Sequence, residues 1–216
     1  NLDSAIIKDS YVRDGATITR EYFASNPDKL IAIRLRGDIN CRIALTAQVP
    51  HKVKAIPTQL TMTGHATGNP QESIHFCTML NVKTDGEVSA ADSSLTITHA
   101  KEAIIYIVNE TSFNGFDKHP VSEGAPYLEN GANDICHTQN FSFDEFYERH
   151  LADYKAIYDR VKIDLGGRKE IAHLSPLTSH LLKDYTDGGG KSRYLEELYF
   201  QFGRYLLISS SRTENV

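Results

Sequence analysis

Apolar residues recur at every second position through much of the chain between Thr17 and Val108, the signature of strands with one face buried and one wet. Leu30–Arg36 puts Ile31, Ile33 and Leu35 on one side and Arg34 and Arg36 on the other, and Cys41–Val49 repeats the arrangement. A slip of one residue in either stretch would bury arginine, so register is expected to be well specified. Asn26-Pro27-Asp28 separates Thr17–Ala24 from Leu30–Arg36 and reads as the turn of an antiparallel pair. Asp85-Gly86, between Thr78–Thr84 and Glu87–Ala90, predicts a hairpin, because glycine accepts the positive φ such a turn requires. Asp92-Ser93 marks a further turn before Leu95–Thr98. Ala103–Val108 is apolar at almost every position and reads as a central strand covered on both faces. Seven or eight strands joined by short turns describe an antiparallel β-sandwich.

The pattern changes between Thr111 and Asn140, where Gly, Asn, Pro and Asp dominate and Phe113, Phe116 and Tyr127 are interspersed. A long ordered loop is expected there, of the kind that often carries function. Helical spacing follows. Ser142-Phe143-Asp144-Glu145 is a capping box, and Phe143, Phe146, Tyr147, His150, Leu151, Tyr154, Ile157, Tyr158 and Val161 form an apolar stripe on a helix of about 18 residues, or about 27 Å. Gly166-Gly167 ends that unit after a short extended Val161–Leu165. Asp187-Gly188-Gly189-Gly190 precedes another helix starting near Ser192. Leu195, Leu198, Tyr199, Phe202, Tyr205, Leu206, Leu207 and Ile208 make that helix apolar around much of its circumference, so it wants neighbours on several sides. The fold expected is mainly β with C-terminal helices: a sandwich over 1–110, a loop and helical linker over 111–191, and the start of a helical domain over 192–216.

With 216 residues, 40% of them hydrophobic and 24% charged, the chain can bury a real core, which argues against disordered and low-complexity classes. Its 23 basic and 28 acidic residues give a net charge of −5 without a dense basic block, so neither nucleic acid nor an anionic membrane is an expected partner. The longest apolar runs fall far short of the roughly 20 residues a membrane-spanning helix needs. The chain starts at Asn1 with no basic-then-apolar leader, the reading expected of a processed product or an excised piece. Cys41, Cys77 and Cys136 lack CxxC spacing, leaving reduced thiols or a single disulfide.

Candidate chemistry is sparse. Nine histidines include no HExxH, and no metal or other cofactor is expected; His75 and His99 are the two that could meet across a sheet. Asp187–Gly190 with Lys191 lacks phosphate-loop spacing and reads as a flexible linker. Glu110, Asp117, Glu123 and Asp134 lie in or beside the long loop, but hydrolysis of a glycoside needs two carboxyl groups roughly 5 to 10 Å apart across one cleft. A sugar could stack on Phe113, Phe116 or Tyr127 while Asn109, Asn114 or Asp117 bonds its hydroxyls. Equally, these aromatics could pin the loop to the sandwich. Glu148, Arg149, His150, Asp153 and Arg160 are the densest helical charges, and Asp153 and Arg160 read as ion-pair anchors between the helix and the sandwich.

Several stretches together resemble glycoside hydrolase family 95, which contains the 1,2-α-L-fucosidases. They are Arg20–Asp28 with the strand after it, Thr111–Phe116, His150–Tyr154, Asp159–Val161 and, longest and most specific, Leu198–Arg212. They occur in the family's order across nearly the whole chain. The resemblance implies the later part of an N-terminal sandwich within a larger one, a linker helix from Ser142, and the first helix, from about Arg193, of an (α/α)6 barrel. Family members cleave the glycosidic bond with inversion, using a barrel glutamate as acid and a water held by barrel asparagines with help from an aspartate. An Asn-rich segment carrying some of those residues is expected just past Ser211-Arg212. Thr213–Val216 stand there instead and Asn215 does not match the motif, so no catalytic residue is carried over. The resemblance also implies a periplasmic or secreted protein.

The reading that follows is a non-catalytic sandwich and linker portion of a fucosidase-like hydrolase. A carbohydrate-binding module using the loop aromatics, a structural or interaction piece that self-associates through the apolar C-terminal helix, and an independent small hydrolase are the alternatives. A fucosylated or other glycan is the partner the first two readings share.

Overall fold

The computed structural model describes residues 1–167, 178–190 and 192–212; Lys191 and Thr213–Val216 lie outside the described residues. Two compact units emerge: Ile6–Leu151, and Asn1–Ala5 together with Ala152–Val216.

The first unit is an antiparallel β-sandwich region built from one open sheet. Its strands are β1 (Ile7–Arg13), β2 (Ala16–Ser25), β3 (Leu30–Ala44), β4 (His51–Ile56), β5 (Gln59–His65), β6 (His75–Thr84), β7 (Glu87–Ala91) and β8 (Ser94–Thr111). They run in the order β1-β2-β3-β8-β6-β5-β4, with β7 attached to β8. β8 organises the arrangement. From Ala103 onward it pairs with the first half of β3 and with β6, whereas Ser94–Thr98 pairs with the end of β3 and with β7. Where it changes partners the register shifts between Arg36 and Cys41, and Gly37 takes φ 134°. A side chain at Gly37 would meet the Thr17 carbonyl oxygen at 2.6 Å, so the bend requires glycine.

Two cores result. Ile18, Ile39, Leu60, Leu80, Val82, Leu95, Ile97, Ala103 and Ile105 pack together, drawing on both halves of β8. The alternate residues Tyr106 and Val108 join Phe23, Leu30, Ala32, Cys77 and Met79 under the helices, so Ala103–Val108 is covered on both faces as its sequence predicts.

The turn at 26–28 joins β2 to β3, and Asp92 takes φ 52° in the turn between β7 and β8. Asp85-Gly86 corrects the expectation. A turn forms, but β6 and β7 are not a hairpin; each pairs with a different half of β8. Asp85 Oδ1 accepts from the Lys101 and Glu102 amides at 2.9 and 3.0 Å, which holds its carboxyl below the usual range and ties the corner to the middle of β8. Arg34 is a second correction. It is not on a wet face but lies beneath the start of a helix, its side chain 12% exposed. The reason is compositional: Leu30 and Ala32 on the same side are buried in the helix-covered core, while Ile33 and Leu35 pack on the other.

Of the four helices among the described residues, α1 (Tyr127–His137) replaces the second half of the expected loop. Asn130, Gly131, Asn133 and Asp134 are poor helix formers, so the sequence hid it. Tertiary packing overrides that preference: a Cβ at Gly131 would lie 2.7 Å from Cys77 Sγ, and Ile135 is buried. Lys83 Nζ fastens the end of α1, donating to the carbonyls of Thr138 at 2.6 Å and Phe141 at 3.3 Å. α2 (Phe143–Tyr158) has the capping box read from the sequence. Ser142 N donates to Glu145 Oε2 at 2.8 Å and Glu145 N to Ser142 Oγ at 3.2 Å. Phe143, Phe146, Tyr147, His150 and Leu151 cover the sheet; Phe146 is fully buried against Tyr106 and Phe141, and His150 stacks on Phe23 at 5.1 Å.

In the second unit Tyr154 and Tyr158 stack at 5.3 Å and pack with Ile208 of α4 (Arg193–Ser210), whose N-cap Ser192 accepts from the Leu195 amide. α3 (Thr178–Asp187) was not foreseen. Arg204 ends α2 by donating to the carbonyls of Tyr158 at 2.6 Å and Val161 at 2.7 Å, with its guanidinium 4.6 Å from the Tyr158 ring. That clamp accounts for a helix shorter than the apolar stripe suggests.

Candidate functional site

The residues expected to contact sugar do not form one cluster. Asn109, on β8, accepts from Thr78 Oγ1 at 2.7 Å and belongs to the sheet. Tyr127 opens α1, packs half-buried on the core, and its carbonyl accepts from Cys77 Sγ at 3.2 Å. Phe113, Asn114, Phe116 and Asp117 occupy the loop 112–126, with Phe116 99% and Phe113 57% exposed.

That loop is tightly closed. Ser112 is buried; its amide donates to the His75 carbonyl at 2.8 Å and its Oγ accepts from the His75 amide at 2.9 Å. Ala125 N donates back to the Ser112 carbonyl at 3.0 Å, and Asn114 Nδ2 spans the loop to the Glu123 carbonyl at 2.8 Å. His119 and Glu123 are tied twice, by His119 N to Glu123 Oε2 at 3.1 Å and Glu123 N to the His119 carbonyl at 3.0 Å. Gly115, at φ 115°, makes the turn before Phe116.

The carboxylates are mostly engaged in holding the structure. Burial pushes the Glu110 carboxyl up; the positive charge of Lys29 works against that rise and the negative charge of Asp134 adds to it. Glu21 takes Arg34 at 2.5 Å and Lys8 at 2.6 Å. Burial alone would raise its carboxyl, but the Lys8 ammonium and the Arg34 guanidinium beside it outweigh that and hold the group below the usual range. Arg34 continues to Asp144 at 2.7 Å and lies 4.0 Å over the Phe143 ring. Sequence reasoning missed this bridge, whose signal was an arginine in register with Leu30 and Ala32. Arg149 donates to the buried Asp28 at 2.8 Å.

Two expectations about single residues change. Asp153 and Arg160 do not act together as anchors. Asp153 forms a two-pronged pair with Arg212 at 2.5 and 2.7 Å, whereas Arg160 donates to the Ala156 carbonyl of its own helix. His75 meets His65, its register partner, with rings 5.9 Å apart, and not His99, whose amide donates to Asn40. Among the described residues no group of three or more His, Cys, Asp or Glu is arranged to hold a metal ion, no helix is long and apolar enough to cross a membrane, and Cys41, Cys77 and Cys136 are free thiols.

Comparison with known proteins now bears on this arrangement. Residues 1–115, the whole strand region, match the model of the glycosyl hydrolase family 65 N-terminal domain. The chain belongs to that family. Residues 142–216 match the glycosyl hydrolase family 95 catalytic domain, so the family 95 resemblance read from the sequence holds there. Alpha-L-fucosidase 2 of Arabidopsis thaliana is 28% identical over 239 residues, covering 98% of this chain and 28% of the relative. A probable alpha-fucosidase A of Aspergillus niger is 26% identical over 229 residues with the same coverage. The chain therefore spans about a quarter of the length of these curated relatives. One solved structure, from the human microbiome and named for kojibiose phosphorylase, superposes with a TM-score of 0.48 at 11% identity over 73% of this chain and 22% of its own, a likeness too slight to carry an argument.

Proposed function

We propose that this chain is the sandwich and linker portion of a glycoside hydrolase that removes terminal α-L-fucosyl groups with inversion, and that it positions and stabilises while residues outside it cleave. The observation that carries the reading is the likeness to a plant α-L-fucosidase over 98% of this chain but 28% of the relative. The site chemistry supports the division of labour. Glu21, Asp28, Asp85, Asp144 and Asp153 are each engaged by a cation or by backbone amides and so serve to hold the structure.

The test is turnover of a 2-O-α-L-fucosylated oligosaccharide. The 216-residue chain is expected to release no fucose, while a polypeptide that adds the remaining length of its relatives releases fucose of inverted anomeric configuration, read by proton NMR at early times. Catalytic release by the verified, contaminant-free chain would overturn the reading, as would an inactive longer protein. Tyr199, Leu206 and Leu207, exposed on α4, add one element: the isolated chain self-associates, giving a solution mass above 24.2 kDa.

A further inference from the structure

Phe116 is the most exposed large apolar residue among the described residues, and the loop that carries it is closed by hydrogen bonds on either side of it. A single exposed phenylalanine is ordinary on a protein surface. A phenylalanine held out on a closed loop that gains nothing from it is less so. The loop's hydrogen bonds run through Ser112, Asn114, His119, Glu123 and Ala125 and leave Phe116 outside every packed cluster. Binding through it would therefore cost little ordering of backbone.

Its neighbours settle what kind of surface would suit it. Asn114, Asp117, Lys118 and His119 lie beside it in sequence and put hydrogen-bonding groups around the ring. Asp117 is exposed and has no hydrogen-bond or ion-pair partner among the described residues, so its carboxylate is available as an acceptor. His119 Nδ1 accepts from the amides of Val121 at 3.3 Å and Ser122 at 3.2 Å. Those two donors assign the neutral ring's proton to Nε2, which makes the imidazole a fixed donor. An aromatic face, an unpaired acceptor and a fixed donor on one rigid turn match a pyranose, which has an apolar face bordered by hydroxyls that both give and take hydrogen bonds.

We infer that the loop 112–126 is a saccharide-contact platform: Phe116 stacks on the apolar face of a pyranose while Asp117 accepts from one hydroxyl and His119 Nε2–H donates to another. The sugar class rests on the glycoside hydrolase reading above. The platform supplies affinity and orientation and takes no part in bond cleavage.

Amide-resolved NMR titration of this chain with L-fucose, with a 2-O-α-L-fucosylated trisaccharide and with maltotriose tests it. Saturable shifts concentrated at 114–119 are expected with the fucosylated trisaccharide. Phe116→Ala should weaken that binding about tenfold or more with an unchanged melting temperature. Asp117→Asn should weaken it about threefold. Unmoved resonances at 114–119 with all three sugars would overturn the platform, as would undiminished binding by folded Phe116→Ala. So would a change in solution mass on that substitution without any change in sugar binding, which would make the loop a protein contact. These failures leave the fucosidase reading standing, because that reading falls only on the turnover assay.

Discussion

The two units solve the problem of burial differently. Ile6–Leu151 closes two apolar cores, one under α1 and α2 and one between strands fed by both halves of β8. In the unit that holds α4, the buried cluster among the described residues consists of Tyr154, Tyr158 and Ile208. On α4 Tyr199 is 79% exposed, and Phe200, Phe202, Leu206 and Leu207 are exposed as well. A helix apolar around most of its girth is a component of a larger layer, and polar clamps such as Arg204 and Asp153–Arg212 secure it where apolar contact is thin. The difference teaches that a strand region can be self-sufficient while the helices that follow it in the chain are not.

The largest effect expected from that contrast is in the sandwich. Phe146→Ala should cost about 3–5 kcal/mol, because a fully buried ring packed on Tyr106 and Phe141 leaves a cavity. Phe202→Ala in α4 should cost less than about 1 kcal/mol. Urea denaturation compares them, and equal losses would erase the distinction between the units.

Next in size is Arg34→Ala, expected to cost about 2–3 kcal/mol at neutral pH by leaving Glu21 with Lys8 alone. The pH dependence has a definite sign. The folded-state carboxyl of Glu21 is depressed, so its stabilisation is present above the ordinary carboxyl range, about pH 4.3, and is lost as pH falls through the lower folded value. The gap between the native chain and Arg34→Ala should therefore narrow in acid below about pH 4. A gap that widens there would show that the bridge is held by something other than this ion pair.

The smallest effect has the opposite direction. The Glu110 carboxyl is raised, so its contribution is present below the ordinary carboxyl range and is lost as pH rises through the folded value. Glu110→Gln should then raise neutral-pH stability by only about 0.3 kcal/mol, because solvent screens a group this open, seen as a melting temperature higher by about 1 °C. A lower melting temperature would mean that the charged Glu110 supports the fold rather than straining it.

Much of this was legible in the sequence wherever one physical rule acted alone. The capping box at Ser142 and Glu145, the turns at 26–28 and 92–93, and the doubly covered Ala103–Val108 depend on neighbours within a few positions, so pattern suffices. What escaped depends on partners far along the chain. α1 packs on the sheet because Gly131 leaves room for Cys77, Arg34 is covered because it bonds Asp144, 110 residues later, in the first turn of α2, and Asp85-Gly86 is a corner because β8 has two sets of partners. β1 was missed for the reverse reason: six of its seven residues are exposed, so no buried face imprints a period. At the loop, the aromatic and polar residue types were visible, but the tether that fixes them, and the separation of Asn109 and Tyr127 from Phe116, were not.

β8 also dictates an order of events. Leu30 meets Val108 and Ala44 meets Ser94, so the sheet's middle cannot form until most of the strand region has left the ribosome and its ends have been brought together. Loop closures of that span are slow to nucleate, whereas β1 with β2 and β4 with β5 join across short turns and can form early. Assembly should therefore proceed from the margins inward, with the last strand to be synthesised in the sheet acting as the keystone that locks hairpins already in place.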